Sequence, residues 1–101
     1  MGQEHSKDFA ASLSAAADRL AEARDAASFV AAMRDQRRVW RGMRQAAPTL
    51  GYKIPDRVMK YSMSIIGKPD GECSDREIEA LITIDRNLSK ALFQVFLRPA
   101  E

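Results

Sequence analysis

The sequence predicts an all-α fold, a small bundle of about four helices whose third member is short. Three observations carry that prediction. Apolar residues recur three and four apart in four segments. Nothing alternates with period two over the length of a strand. The gaps between segments hold residues that bound helices, namely Pro48, Pro55, Gly67 and Pro69. With 101 residues, the chain fits one domain covering 1–101, since domains typically hold about 100–150 residues; residues 1–6 and 98–101 are expected to fray.

The first helix is expected from about Lys7 to Ala27, with the stripe Phe9, Leu13, Ala16, Leu20, Ala23 and Ala27. Small residues let a neighbour approach closely but bury little apolar area per turn, so this helix is expected to be the least firmly docked. Its alanines favour helix intrinsically. At Ser28 either a second helix is capped or the first continues. Phe29, Met33, Gln36, Trp40 and Met43 then keep helical spacing to Ala46, where Pro48 and its restriction of Ala47 stop the segment. Residues 48–55 read as a connector. Pro55 suits the first turn of a short third helix reaching Ile66, whose apolar residues wrap most of the way round, as in a helix sandwiched between others. Gly67 and Pro69-Asp70-Gly71 mark a loop. Ser74 and Glu77 have the spacing of a capping box, and a fourth helix follows to about Leu97 on Ile78, Leu81, Ile82, Leu88, Leu92 and Val95.

Composition narrows the function classes. At 46% hydrophobic and 30% charged the chain is that of an ordinary globular protein. Arg-over-Lys usage and abundant Ala fit a GC-rich bacterial genome. One Cys and one His leave no internal disulfide and no Cys/His zinc site, so no metal or cofactor is expected. No stretch approaches the roughly 20 apolar residues of a membrane span, and the N-terminal residues show no secretory pattern, which makes the cytoplasm the expected compartment. Gly2 and Ser6 match a myristoylation pattern, which is read here as coincidence. Phosphate-binding, dinucleotide and metalloprotease motifs are missing, His5 falls in the expected tail, and Cys73 has no histidine partner, although a helix N-terminus beside it is expected to lower its pKa. The chain reads as a non-enzyme.

Net charge is only +2, yet it is unevenly placed. Arg34, Arg37, Arg38, Arg41 and Arg44 crowd the second helix, and Asp70, Glu72, Asp75, Glu77 and Glu79 crowd the approach to the fourth. The arginines around Trp40 are a candidate RNA site, with arginine on phosphate and the indole on a base; set against that, Trp40 lies on an apolar stripe, where tryptophan is usually core. Asp85 interrupts the apolar stripe of the fourth helix, so it is expected to meet an arginine or cap a neighbouring backbone. Phe93, Phe96 and Leu97 exceed what a small bundle needs inside, which suggests a docking groove or an oligomer contact.

Two stretches taken together resemble a known family. They are Asp35-Gln-Arg-Arg-Val-Trp-Arg41, followed by Ile54-Pro55 and an apolar helix, and Leu81-Ile-Thr-Ile-Asp-Arg-Asn-Leu-Ser-Lys-Ala-Leu92. In order and spacing they resemble FlaF, a small protein of α-proteobacterial flagellar biosynthesis, over about residues 20–92; Leu20-Ala-Glu-Ala-Arg24 is similar to the family's first helix. Asp35 or Gln36, Val39, Asp85 and Ala91 stand where the family shows Asn, Leu, Asn and Gly, and its N-terminal Tyr and Pro-Arg-Glu-x-Glu signature are missing. The resemblance implies a cytoplasmic accessory that controls flagellin synthesis or secretion as a chaperone or regulator, with FlbT as a further partner.

The residues alone suggest a compatible reading, an adaptor that grips an amphipathic helix. Its groove is expected between the second and fourth helices, with Phe93, Phe96 and Leu97 as apolar contacts and Arg37 and Arg41 at the rim. The alternatives are an RNA-contacting regulator using Arg34, Arg37, Arg38, Arg41 and Arg44, and a small homodimer.

Overall fold

The computed structural model describes residues 2–97, with side chains described from His5 onward. It is an all-α bundle: α1 (Gly2–Glu22), α2 (Ala26–Ala46), a 3-10 turn (Ala47–Thr49), α3 (Asp56–Ile66), a second 3-10 turn (Asp70–Glu72) and α4 (Asp75–Leu97). The expected fraying of 98–101 lies outside the described residues. The body measures 47 × 23 × 19 Å. Among the described residues no helix is long and apolar enough to cross a membrane.

The α1 helix starts at Gly2, five residues before the expected position, and stops at Glu22, short of Ala27. Its early start has a side-chain cause. Ser6 is buried and its hydroxyl donates to the Leu50 carbonyl, while His5 Nδ1 lies 3.2 Å from Thr49 Oγ1. At the other end the chain breaks at residues 23–25 because Asp25 caps α2: Asp25 Oδ1 accepts from the Ser28 N–H at 2.8 Å, and the Ser28 hydroxyl accepts from the Asp25 N–H at 3.2 Å. Ser28 is therefore the third residue of a capping box rather than the cap itself.

The buried face of α1 is Ser6, Ala10, Leu13, Ala16, Ala17 and Leu20. Far from being the least docked element, α1 makes the most extensive helix contact in the described chain, along α4. It runs antiparallel to α4, with Lys7 beside Phe96, Ala10 beside Ser89 and Asp18 beside Arg86. Small side chains explain this. They surrender little area each, but they let the axes close so that whole rows of atoms touch. On its second side α1 meets α2, where a Cβ at Gly42 would lie 3.2 Å from the Phe9 ring.

The core joins α1 and α2 to α4 through Leu13, Met33, Trp40, Met43, Leu81 and Leu92, all fully buried. Fully burying a Leu or Met side chain contributes roughly 1.5–3 kcal/mol. The connector after α2 belongs to this core, because Leu50 and Ile54 tuck under the bundle. Gly51 makes that path possible: its φ of +70° is left-handed, and a Cβ there would press Val95 Cγ1 at 3.1 Å. The α3 helix is peripheral rather than sandwiched. It buries Ser62, Ile65 and Ile66 but leaves Val58, Met59 and Met63 half-buried and Tyr61 exposed. Ser74 and Glu77 close the capping box of α4, with Ser74 N–H donating to Glu77 Oε1 at 3.0 Å and Glu77 N–H to Ser74 Oγ at 3.1 Å.

Candidate functional site

The one charged-type side chain among the fully buried polar groups of the described residues is Asp85, on the inner face of α4. Its Oδ1 accepts from Trp40 Nε1 at 2.9 Å and its Oδ2 from Gln36 Nε2, both on α2. Asp85 is satisfied by hydrogen bonds within the chain, but its donors are two neutral side chains rather than the expected arginine or backbone group. The reason lies on α2, where Gln36 and Trp40 sit one turn apart on the stripe that faces α4 while the arginines occupy the other faces. Burial pushes the Asp85 carboxyl up to about 7, against the lowering effect of the two donors and of Arg86. The Gln36 Oε1 and Ser62 Oγ atoms are buried without a hydrogen-bond partner among the described residues. With the indole wholly enclosed, Trp40 offers no face for a base to stack on.

The five arginines of α2 divide by face. Arg37 is consumed by the fold: its Nε donates to the Ile66 carbonyl at 2.8 Å, and its Nη2 to the Lys68 carbonyl and to Asp70. It ties the end of α3 and the following turn to α2. Arg38 pairs with Asp35 at 3.1 Å, and Asp35 also takes Arg19 at 2.9 Å. Arg34, Arg41 and Arg44 are exposed with no ion pair among the described residues. They follow one another at helical spacing along α2, and Arg44 lines hollows shared with α3. Neither Arg37, which reaches the end of α3, nor Arg41 lines the groove beside Phe93, which opens between α1 and α4.

Phe93 and Leu97 are exposed at 44% and 61%, and Phe96 is half-buried. The two phenyl rings tilt against each other with centroids 5.8 Å apart, and Lys7 Nζ sits 5.3 Å from the Phe96 centroid. A shallow groove of about 410 Å³ opens beside Phe93, walled by Ala11 and Ser14 of α1 and floored by Ala10 and Ser89. Its cations are Lys7 and Lys90. The groove thus runs between α1 and α4, not between α2 and α4. Sequence reasoning missed both lysines. The signal available for Lys90 was its i, i+3 relation to Phe93; Lys7 lies in the expected first helix, and only the packing of α1 along α4 brings it to this edge.

The remaining expected groups have structural surroundings. Cys73 is half-buried with Sγ 3.7 Å from the Ile65 carbonyl, and burial, helped by Glu77 and Asp70, raises its pKa rather than lowering it. Lys68 meets Glu77 at 2.6 Å, a hydrogen bond that raises the lysine and lowers the carboxyl. Among the described residues no cluster of His, Cys, Asp or Glu is placed to hold a metal ion. Compared with protein-family models, with curated proteins and with solved structures, the chain matches none.

Proposed function

We propose that the chain is a non-enzymatic helical adaptor that seats an amphipathic helix of a partner protein on the groove between α1 and the last turns of α4. One observation carries the reading. Phe93, Phe96 and Leu97 form a contiguous apolar edge beside an open groove, flanked by Lys7 and Lys90, and contiguous apolar surface rimmed by charge is the usual form of a helix-binding site. The resemblance to FlaF supplies the partner, the terminal helical region of flagellin, and the setting, a bacterial cytoplasm in which the protein controls flagellin synthesis or secretion alongside FlbT.

The test is an affinity pull-down by the immobilised protein from a flagellated α-proteobacterial lysate at two salt concentrations, with RNA and protein recovered together. Flagellin retained at both salts supports the reading. Flagellin transcript retained only at low salt replaces it with an RNA-contacting regulator that uses Arg34, Arg41 and Arg44. Sedimentation of the free protein decides whether the same edge instead closes a homodimer, since a dimer that dissociates on Phe93→Asp occupies the groove with a second copy.

A further inference from the structure

The side of the bundle formed by α2 and α3 carries a second trough that shares no lining residue with the Phe93 groove. Two adjoining hollows of about 470 and 480 Å³ meet at Arg44, Asp56 and Met59. One continues past Tyr52, Lys53 and Ile54, the other past Lys60 and Met63. Together they follow the length of α3, which spans about 16 Å at 1.5 Å per residue. The floor is Met59, Met63 and Ile54, and the rim is basic on both walls: Arg44 from α2, Lys60 from α3 and Lys53 at the mouth, none with an ion pair among the described residues. Arg41, one turn before Arg44, extends the basic wall. Asp56 is the single acid, placed in the first turn of α3, where it complements the helix dipole.

We propose that this trough docks an acidic amphipathic helix of a partner protein, with apolar residues on the methionine floor and carboxylates against Arg44, Lys53 and Lys60. Charge complementarity selects the acid, and the floor selects a helix over a nucleic acid. Single-stranded nucleic acid is held by several aromatic platforms, and Tyr52 is the one ring in the lining. Unbranched methionines adapt to varied apolar side chains. The proposal stands apart from the reading of the Phe93 groove, and each can fail without the other.

The test is an amide NMR titration of the intact protein. The first ligand is a synthetic 16-residue peptide with leucines at i, i+3, i+4 and i+7 and glutamates flanking them. The second is the same peptide with every Glu replaced by Lys, and the third is a ten-nucleotide oligouridylate. The glutamate peptide is expected to shift Tyr52, Lys53, Met59, Lys60 and Met63. Its affinity should fall at least tenfold in the double variant Lys53→Glu, Lys60→Glu and in the single variant Arg44→Glu, and hold in Phe93→Asp. All these sites are exposed, so retained far-UV circular dichroism is expected. The proposal is overturned by shifts confined to the Phe93 edge, by equal binding of the lysine peptide, by binding of the oligouridylate in place of the peptide, or by no shift at all.

Discussion

The two halves of α4 meet the rest of the molecule in opposite ways. From Asp75 to Leu88 the helix is fastened by polar groups with assigned partners: Glu77 to Ser74 and Lys68, and Asp85 to Trp40 and Gln36. From Lys90 to Leu97 its fully inward side chains are Leu92 and Val95, Phe96 is half-buried, and Phe93 and Leu97 stand in solvent. The first half fixes register, because a buried carboxylate with two donors on α2 tolerates one alignment of the helices. The second half has apolar area in excess of what the core takes up. Stability and partner binding are therefore expected to separate along a single helix.

The largest effect is expected at Trp40. Trp40→Ala empties the largest fully buried side chain and leaves Asp85 with one donor, which should cost about 3–5 kcal/mol or more. Chemical denaturation followed by circular dichroism measures it; a loss below about 1 kcal/mol would mean that the first half of α4 is not the anchor.

The second effect depends on pH. Burial holds Asp85 near 7 against an ordinary 3.8, so the folded state favours the protonated acid. That contribution is complete below 3.8 and is lost as pH rises through about 7. Glu77, lowered chiefly by its hydrogen bond to Lys68, and Asp25, lowered by its cap to Ser28, act with the other sign, and their contributions are lost on acidification. Thermal stability should therefore peak in mildly acid solution, about pH 5, and decline toward pH 8. Asp85→Asn should flatten the decline and raise the melting temperature at pH 8, since an amide there carries no charge and, after rotation of the Gln36 amide, can donate to Oε1. A decline of the same slope in Asp85→Asn would assign the pH dependence elsewhere.

The third effect is small and confined to the second half. Lys7→Gln removes the cation over Phe96 and should cost about 0.5–1 kcal/mol at this exposed site. Its partner affinity should become less sensitive to salt.

Much of this architecture is legible in the sequence. The capping box at Ser74 and Glu77, the stop before Pro48 and the start after Pro55 are local signals, set by residues three or four apart, and the structure keeps all of them. What escapes is carried by distant residues. The start of α1 at Gly2 depends on Ser6 reaching Leu50, and no apolar residue announces it. Asp85 visibly needs a partner, but Gln36 and Trp40 lie 49 and 45 positions away, and charge reasoning points to an arginine instead. The apolar edge at Phe93, Phe96 and Leu97 is legible because it exceeds what the stripe needs. Its opposite wall is not, because the small residues of α1 hide how closely that helix approaches α4. The basic trough is hidden for a similar reason: Arg44, Lys53 and Lys60 come together only once the connector folds under the bundle.

The most direct test of the separation is a paired measurement on Phe93→Asp: its unfolding free energy and its capture of flagellin, side by side with the unaltered protein. The expected result is stability within about 1 kcal/mol, as for an exposed position, together with at least a tenfold loss of capture. Capture unchanged, or a stability loss above about 2 kcal/mol, would contradict the account and return the second half of α4 to the core.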